Sequence, residues 1–340
     1  MKERINPPAE TARGIRDGIT RMSAILCLSV VLLHLNNTPL TGLAMSHPGY
    51  MAAFAVNKFL SFAVPAFLFL SGYKLFARYE TMPLPIGRFY LGRLKKILLP
   101  YLGAVAIYFL YFHIKGWVSL SDLPEYVFLG TLAAHFYYVV IAAQLYLIFP
   151  LLRRAIVRKP YLTLGLSLLC TLVLQQTQPF PYADRFFGSY LFYFVLGAVF
   201  AHRCFTERAV SALKWTVIPA AVIGVLHAWL SYRQVCGALD YILHGTVNLV
   251  YATLATVSLF RICQGSPRPA RLLSAVASGS YGIYLYHLLT IFALQYDVLP
   301  YLEASVGVRF LILAVGVSAG ILIYICLKER LCRRKAGEED

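Results

Sequence analysis

The hydrophobic positions of this chain gather into long runs separated by short polar stretches. The runs fall at about 21–38, 51–76, 94–113, 135–152, 161–176, 186–202, 213–231, 242–262, 274–295 and 305–327. Each is near the ~20 residues that a spanning α-helix needs. The fifth is short, and Gln175, Gln176 and Gln178 follow it. The pattern predicts an all-α integral membrane protein with about ten transmembrane helices.

Charge separates the connecting loops into two sets. Segments 1–21, 74–96, 153–159, 203–214, 261–271 and 328–335 hold 26 of the 31 Lys and Arg. Lys58, Lys115, Arg185, Arg233 and Arg309 are the others. Positively charged loops mark the cytoplasmic side, so this alternation predicts both termini in the cytoplasm and an even number of spans.

The chain then divides into a cytoplasmic tail over 1–20, a transmembrane domain over 21–328 and a second cytoplasmic tail over 329–340. The first tail is not a signal peptide, because the apolar run behind it is long enough to span and carries no clear cleavage site.

Composition agrees. Hydrophobic residues make up 59% of the 340 and charged residues only 14%, whereas a soluble domain has ~25% charged residues. The net charge of +16 lies in alternate loops, which points to anionic lipid rather than nucleic acid. Short loops leave no room for a soluble catalytic domain, so any chemistry must occur between helices. The seven cysteines form no disulfide framework, and no carboxylate sits within a span to join the scattered histidines in a metal site.

Polar residues inside the runs are therefore the informative ones. Arg21–Leu35, RMSAILCLSVVLLHL, carries His34 about 20 Å along the helix, two thirds of a ~30 Å hydrocarbon core. An ionisable group there needs a partner or a wet cavity. The second run holds Lys58 near its outer end, placed to snorkel, then Pro65, which bends the helix. Ser71-Gly72-Tyr73 follows, where small residues admit either a neighbouring helix or a ligand. Arg88, Arg93, Lys95 and Lys96 crowd the start of the third run. They either anchor anionic lipid or hold phosphates.

The fourth run places Tyr137 and Gln144 on one face, and a mid-membrane Gln needs a partner. His135 stands at the outer interface. In the ninth, Ser280, Tyr284 and His287 share a face at i, i+4 and i+7. His47, His113, His202, His227 and His244 receive no role.

Taken in order, VVLLH ending at His34, VPAFLFLSGYKLF, FYLGRLKKILLPY, HFYYVVIAAQLYLIFPLL, FYFVLGAVF and SYGIYLYHLL resemble the acyltransferase-3 family. Its members are bacterial multi-pass membrane acyltransferases that modify cell-surface glycans. The resemblance implies acyl transfer from cytosolic acyl-CoA, most often acetyl-CoA, to a hydroxyl of a polysaccharide or lipid-linked glycan at the bacterial cytoplasmic membrane. Membrane lipids are the other partners.

It also implies that His34 is the essential first-span histidine, and that the family's loop Arg pair corresponds to Arg93 and Lys96. The second position departs from Arg. Where the family has an Arg eleven residues before the histidine, this chain has Ser23, with Arg21 nearby.

The resulting scheme puts the CoA phosphates on Arg88, Arg93 and Lys96 and the pantetheine arm past Ser71 and Tyr73. His34 acts as general base or carries the acyl group itself. Gln144 or Tyr284, with His287 close by, contributes donors for the oxyanion. A transporter or flippase for a glycan, lipid or small organic acid is the alternative. It would need the same intramembrane polar groups.

Overall fold

The structure is a computed structural model. It describes residues 9–80, 82–203, 213–264 and 268–337; Lys2, Arg4, Cys204 and Arg208 lie outside these residues. The described residues are helical, with no strand. The main helices are α1 (Ala9–Leu35), α2 (Pro48–Leu60), α3 (Ala63–Tyr79), α4 (Ile86–Arg93), α5 (Leu99–Ile114) and α6 (Tyr137–Arg158), then α7 (Pro160–Thr177), α8 (Leu191–Arg203), α9 (Val217–Val235), α10 (His244–Gln264), α11 (Arg271–Ala293) and α12 (Val306–Gly337).

Among the described residues seven helical stretches are long and apolar enough to cross a membrane: Arg13–Gly42, Pro48–Tyr79, Ile86–Ile114, Tyr137–Arg158, His244–Gln264, Arg271–Tyr301 and Val306–Leu331. A shorter apolar helix covers Phe187–His202. Helices also occupy the fifth and seventh expected runs, as α7 and α9. Every run in the sequence is thus helical, and seven of them meet the requirement for a crossing.

The second run bends, and the break falls at Ser61 and Phe62, between α2 and α3. Pro65 lacks an N–H and its ring crowds the carbonyl one turn earlier, so the chain opens at that earlier turn. Gly72 meets a helix and not a ligand. A Cβ at Gly72 would lie 2.0 Å from the Phe194 carbonyl oxygen, and one at Gly197 would lie 1.9 Å from that of Phe69. The two glycines make α3 and α8 an antiparallel pair in backbone contact, as small residues do in membrane bundles.

Side-chain contacts fix which helix ends share a face. Arg21 Nε donates to the Cys263 carbonyl at 2.9 Å, joining the early part of α1 to the end of α10. Lys74 Nζ donates to Ser23 Oγ at 3.0 Å, bringing in the end of α3. Arg153 reaches the carbonyls of Glu80 and Met82 at 3.2 Å each, which adds the end of α6. Glu80 also bonds His202 Nδ1 at 2.7 Å, which adds the end of α8. All of these positions lie in or beside the basic segments of the sequence, so the charge alternation corresponds to one physical face of the bundle.

Helices α1 and α11 run parallel. Cys27 Sγ approaches the Ser280 carbonyl at 3.7 Å. Seven residues further along each helix, His34 faces His287. That register brings two histidines together at the end of α1, ~20 Å along the helix from Arg21.

Candidate active site

Three imidazoles converge within the bundle. His34 is the penultimate residue of α1, His287 lies on α11, and His135 comes from the segment leading into α6. Their ring centroids are 5.2 Å apart for His34–His287, 5.0 Å for His135–His287 and 6.1 Å for His34–His135. They are 9%, 3% and 1% exposed, in the order His34, His287, His135. His135 is therefore not at a wet interface, as its place at the head of the fourth run suggested. Gly130 is responsible for the difference. It ends a short helix with φ +65°, and a Cβ there would lie 2.8 Å from the Phe136 carbonyl carbon. Only glycine suits both conditions. The chain folds back through it, and Leu132, Ala133, His135 and Phe136 are buried.

Backbone carbonyls hold two of the rings. His287 Nδ1 faces the carbonyls of Ile283 at 3.1 Å and Tyr284 at 2.8 Å, and His135 Nε2 faces that of Leu285 at 3.1 Å. A carbonyl can only accept, so in a neutral ring the facing nitrogen carries the proton. The other nitrogen of each then keeps its lone pair. Those atoms, His287 Nε2 and His135 Nδ1, are buried without a hydrogen-bond partner among the described residues, as is His34 Nδ1. Buried polar atoms ordinarily find partners. Three such atoms in one cluster make a site able to accept or relay a proton. Among the described residues no group of three or more His, Cys, Asp or Glu side chains is arranged to hold a metal ion.

Tyrosines brace the cluster. The Tyr108 hydroxyl donates to the Leu285 carbonyl at 3.0 Å and accepts the Leu289 N–H at 2.7 Å. An α-helix would close that donor–acceptor pair directly. The Tyr284 hydroxyl donates to the His135 carbonyl. This bond fixes the His135 segment against α11.

A line of contacts leads from the cluster toward the basic face. The Tyr284 ring is 5.2 Å from Tyr138 and 6.5 Å from Phe67, which is one turn before Ser71 on α3. The Tyr146 hydroxyl donates to Ser71 Oγ at 3.4 Å, and the Arg93 guanidinium stacks 5.4 Å from the Tyr146 ring. Among the described residues Arg93 Nε is buried without a hydrogen-bond partner. Directly after Arg93, Leu94–Leu98 form a π-helical turn, a feature often found at functional sites. Tyr73 packs 5.4 Å from Phe260. Arg88 and Lys96 are exposed on the same helical stretch.

Two other expected positions have different surroundings. Gln144 Nε2 donates to the Arg185 carbonyl at 3.0 Å, and its Oε1 accepts the Phe187 N–H at 2.9 Å. It finds the partner that a mid-membrane Gln requires, in the loop before α8 and not in the histidine cluster. At Ser23, where the resemblance expects an Arg, Lys74 supplies the cation from α3.

These features define a multi-pass membrane protein with a buried histidine cluster joined to one face of the bundle by a line of packed side chains. The chain belongs to the acyltransferase-3 family, whose acyltransferase domain matches residues 17–327, nearly its whole length. Searches of curated proteins and of solved structures returned no significant match. The family assignment supports a membrane acyltransferase over the transporter alternative.

Proposed function

We propose that the protein transfers an acyl group, most simply acetyl, from cytosolic acyl-CoA to a hydroxyl of a cell-surface polysaccharide or lipid-linked glycan. The observation that carries this reading is the contact line from Arg93 through Tyr146 and Ser71 to Tyr284 and the three histidines. It offers a cation at one end for phosphate and proton acceptors at the other for a hydroxyl. The basic face is cytoplasmic in this account, all ten helical runs cross the bacterial cytoplasmic membrane, and both termini are inside.

Arg93, with the exposed Arg88 and Lys96 beside it, binds the CoA phosphates. The pantetheine arm runs past Ser71 and Tyr73. At the cluster, His34 takes the proton of the acceptor hydroxyl while its oxygen attacks the thioester carbonyl. The new C–O bond forms as the C–S bond breaks, and His34 returns the proton to the departing CoA thiolate. His287 and His135, held by their carbonyls, orient His34 and share its proton. In the covalent variant His34 first receives the acyl group and then yields it to the acceptor.

Thermal-shift titration of the purified protein with acetyl-, succinyl- and longer acyl-CoAs, with free CoA as control, tests the donor. A ligand that binds only the folded state stabilises it by ~2.7 kcal/mol at a hundredfold excess over its Kd. Stabilisation by one acyl-CoA, lost in Arg93→Ala, supports the proposal. The absence of any response in folded protein contradicts it.

A further inference from the structure

A second polar cluster lies away from the three histidines, between α2, α9 and α10. His227 on α9 is 1% exposed, and its ring centroid is 5.0 Å from that of His244, the first residue of α10. His227 Nδ1 is 3.3 Å from the Tyr241 hydroxyl, and the Tyr241 ring is 5.4 Å from His244. Tyr251 stacks on the other side of His227 at 6.2 Å. Lys58 on α2 borders this cluster: the carbonyl of its neighbour Phe59 accepts a hydrogen bond from the Tyr251 hydroxyl, and its charge acts on both imidazoles. Ser231, one turn beyond His227, is buried with its hydroxyl unpartnered.

This grouping lacks a counterion. Among the described residues no carboxylate pairs with Lys58, His227 or His244. The recorded neighbour of the Lys58 ammonium is the Phe54 ring, 5.2 Å from its centroid. Lys58 sits ten residues into a helical stretch that is apolar enough to span, and it is only partly exposed. A cation held at such depth ordinarily has an anion or carbonyls to meet it. Here four donor-bearing side chains from three segments converge, an arrangement that an anion from outside the chain would complete.

We propose that Lys58, His227, His244 and Tyr241 form a binding site for a phosphate group. An ammonium and a phenol with two imidazoles supply directed donors around a multi-oxygen anion, a pattern suited to phosphate recognition. The phosphate reaches the site either on a lipid or on a soluble molecule. The site binds it whether or not acyl transfer occurs, so the proposal stands apart from the donor site at Arg93.

The test uses the full-length protein purified in detergent. Melting temperature is followed against inorganic phosphate, short-chain phosphatidic acid, and short-chain phosphatidylcholine as a control in which choline caps the phosphate. The expected result is a saturable rise with inorganic phosphate or phosphatidic acid that exceeds any rise with phosphatidylcholine. Loss of one charge-assisted hydrogen bond should weaken that binding ~10–100-fold in Lys58→Met. Lys58→Arg should restore it, and Arg93→Ala should leave it intact. A response to inorganic phosphate points to a soluble ligand, and a response to phosphatidic acid alone points to a lipid. The proposal is overturned if neither phosphate probe acts on folded protein. It is equally overturned if folded Lys58→Met responds as the wild type does, or if Arg93→Ala alone loses the response. Should Lys58→Met not fold, His244→Gln serves in its place with the same criteria.

Discussion

The imidazoles of His34 and His287 lie 5.2 Å apart, their planes inclined by 44°. The two residues are 253 positions apart in the sequence, on helices that run parallel, with Cys27 against Ser280 seven residues earlier. The register places a ring whose tautomer is set by two carbonyls beside a ring whose Nδ1 has no hydrogen-bond partner among the described residues. That pairing underlies the proposed proton relay.

His287→Ala should therefore lower the acyl-transfer rate by ~10²–10⁴-fold, the usual weight of a positioned acid–base group. The KM for acyl-CoA should change little. Steady-state kinetics with purified protein check this. A His287→Ala enzyme with wild-type kcat would remove His287 from the relay.

Arg93→Ala should show the reverse split. With the guanidinium gone, the KM for acyl-CoA should rise by ~10–100-fold, as expected for a lost charge-assisted hydrogen bond, with kcat largely kept. Arg88→Ala and Lys96→Ala should have smaller effects, because both side chains are exposed. An Arg93→Ala enzyme with an unchanged KM would reduce Arg93 to a lipid anchor.

The sequence made His34 and His287 visible because an ionisable residue inside an apolar run stands out. It hid His135 because a histidine at the head of a run looks solvated. Gly130, distant from any polar motif, is what turns it inward. His227 and His244 were hidden for a related reason. Each is isolated in its own helix, and only packing of α9 against α10 brings them to 5.0 Å. Lys58 read as a snorkelling side chain, because period and position say nothing of a missing counterion. The helical runs and the bend near Pro65 were legible, since they depend on local composition and on a single missing N–H. The close contact of α3 with α8 was only half legible. Ser71-Gly72 announced a close approach, but not its partner.

Gly72→Ala and Gly197→Ala should each destabilise the protein. The added methyl would sit about 2 Å from a backbone carbonyl oxygen that a rotamer change cannot move. Overpacking of this kind costs ~1–3 kcal/mol. Thermal unfolding in detergent should show a lower Tm for both, whereas Gly103→Ala, with open space around its Cβ position, should not lower it. Equal Tm values for all three would contradict the backbone contact.

Gln144→Leu should act on stability before chemistry. It leaves the Phe187 N–H and the Arg185 carbonyl, both partly buried, without their partner, at up to ~1–3 kcal/mol for each group left unsatisfied. The variant should unfold at a lower temperature and, while folded, keep its KM for acyl-CoA. A folded, fully stable Gln144→Leu that loses only kcat would return Gln144 to the oxyanion role.

The central claim is acyl transfer from CoA at the histidine cluster. The direct measurement adds acetyl-labelled acetyl-CoA to the cytosolic face of inverted membrane vesicles and follows label into the glycan and lipid fraction. Vesicles containing the wild-type protein should incorporate label well above vesicles lacking it. Vesicles with an equal amount of His34→Ala should fall to that background. Incorporation by His34→Ala at the wild-type rate would contradict the account.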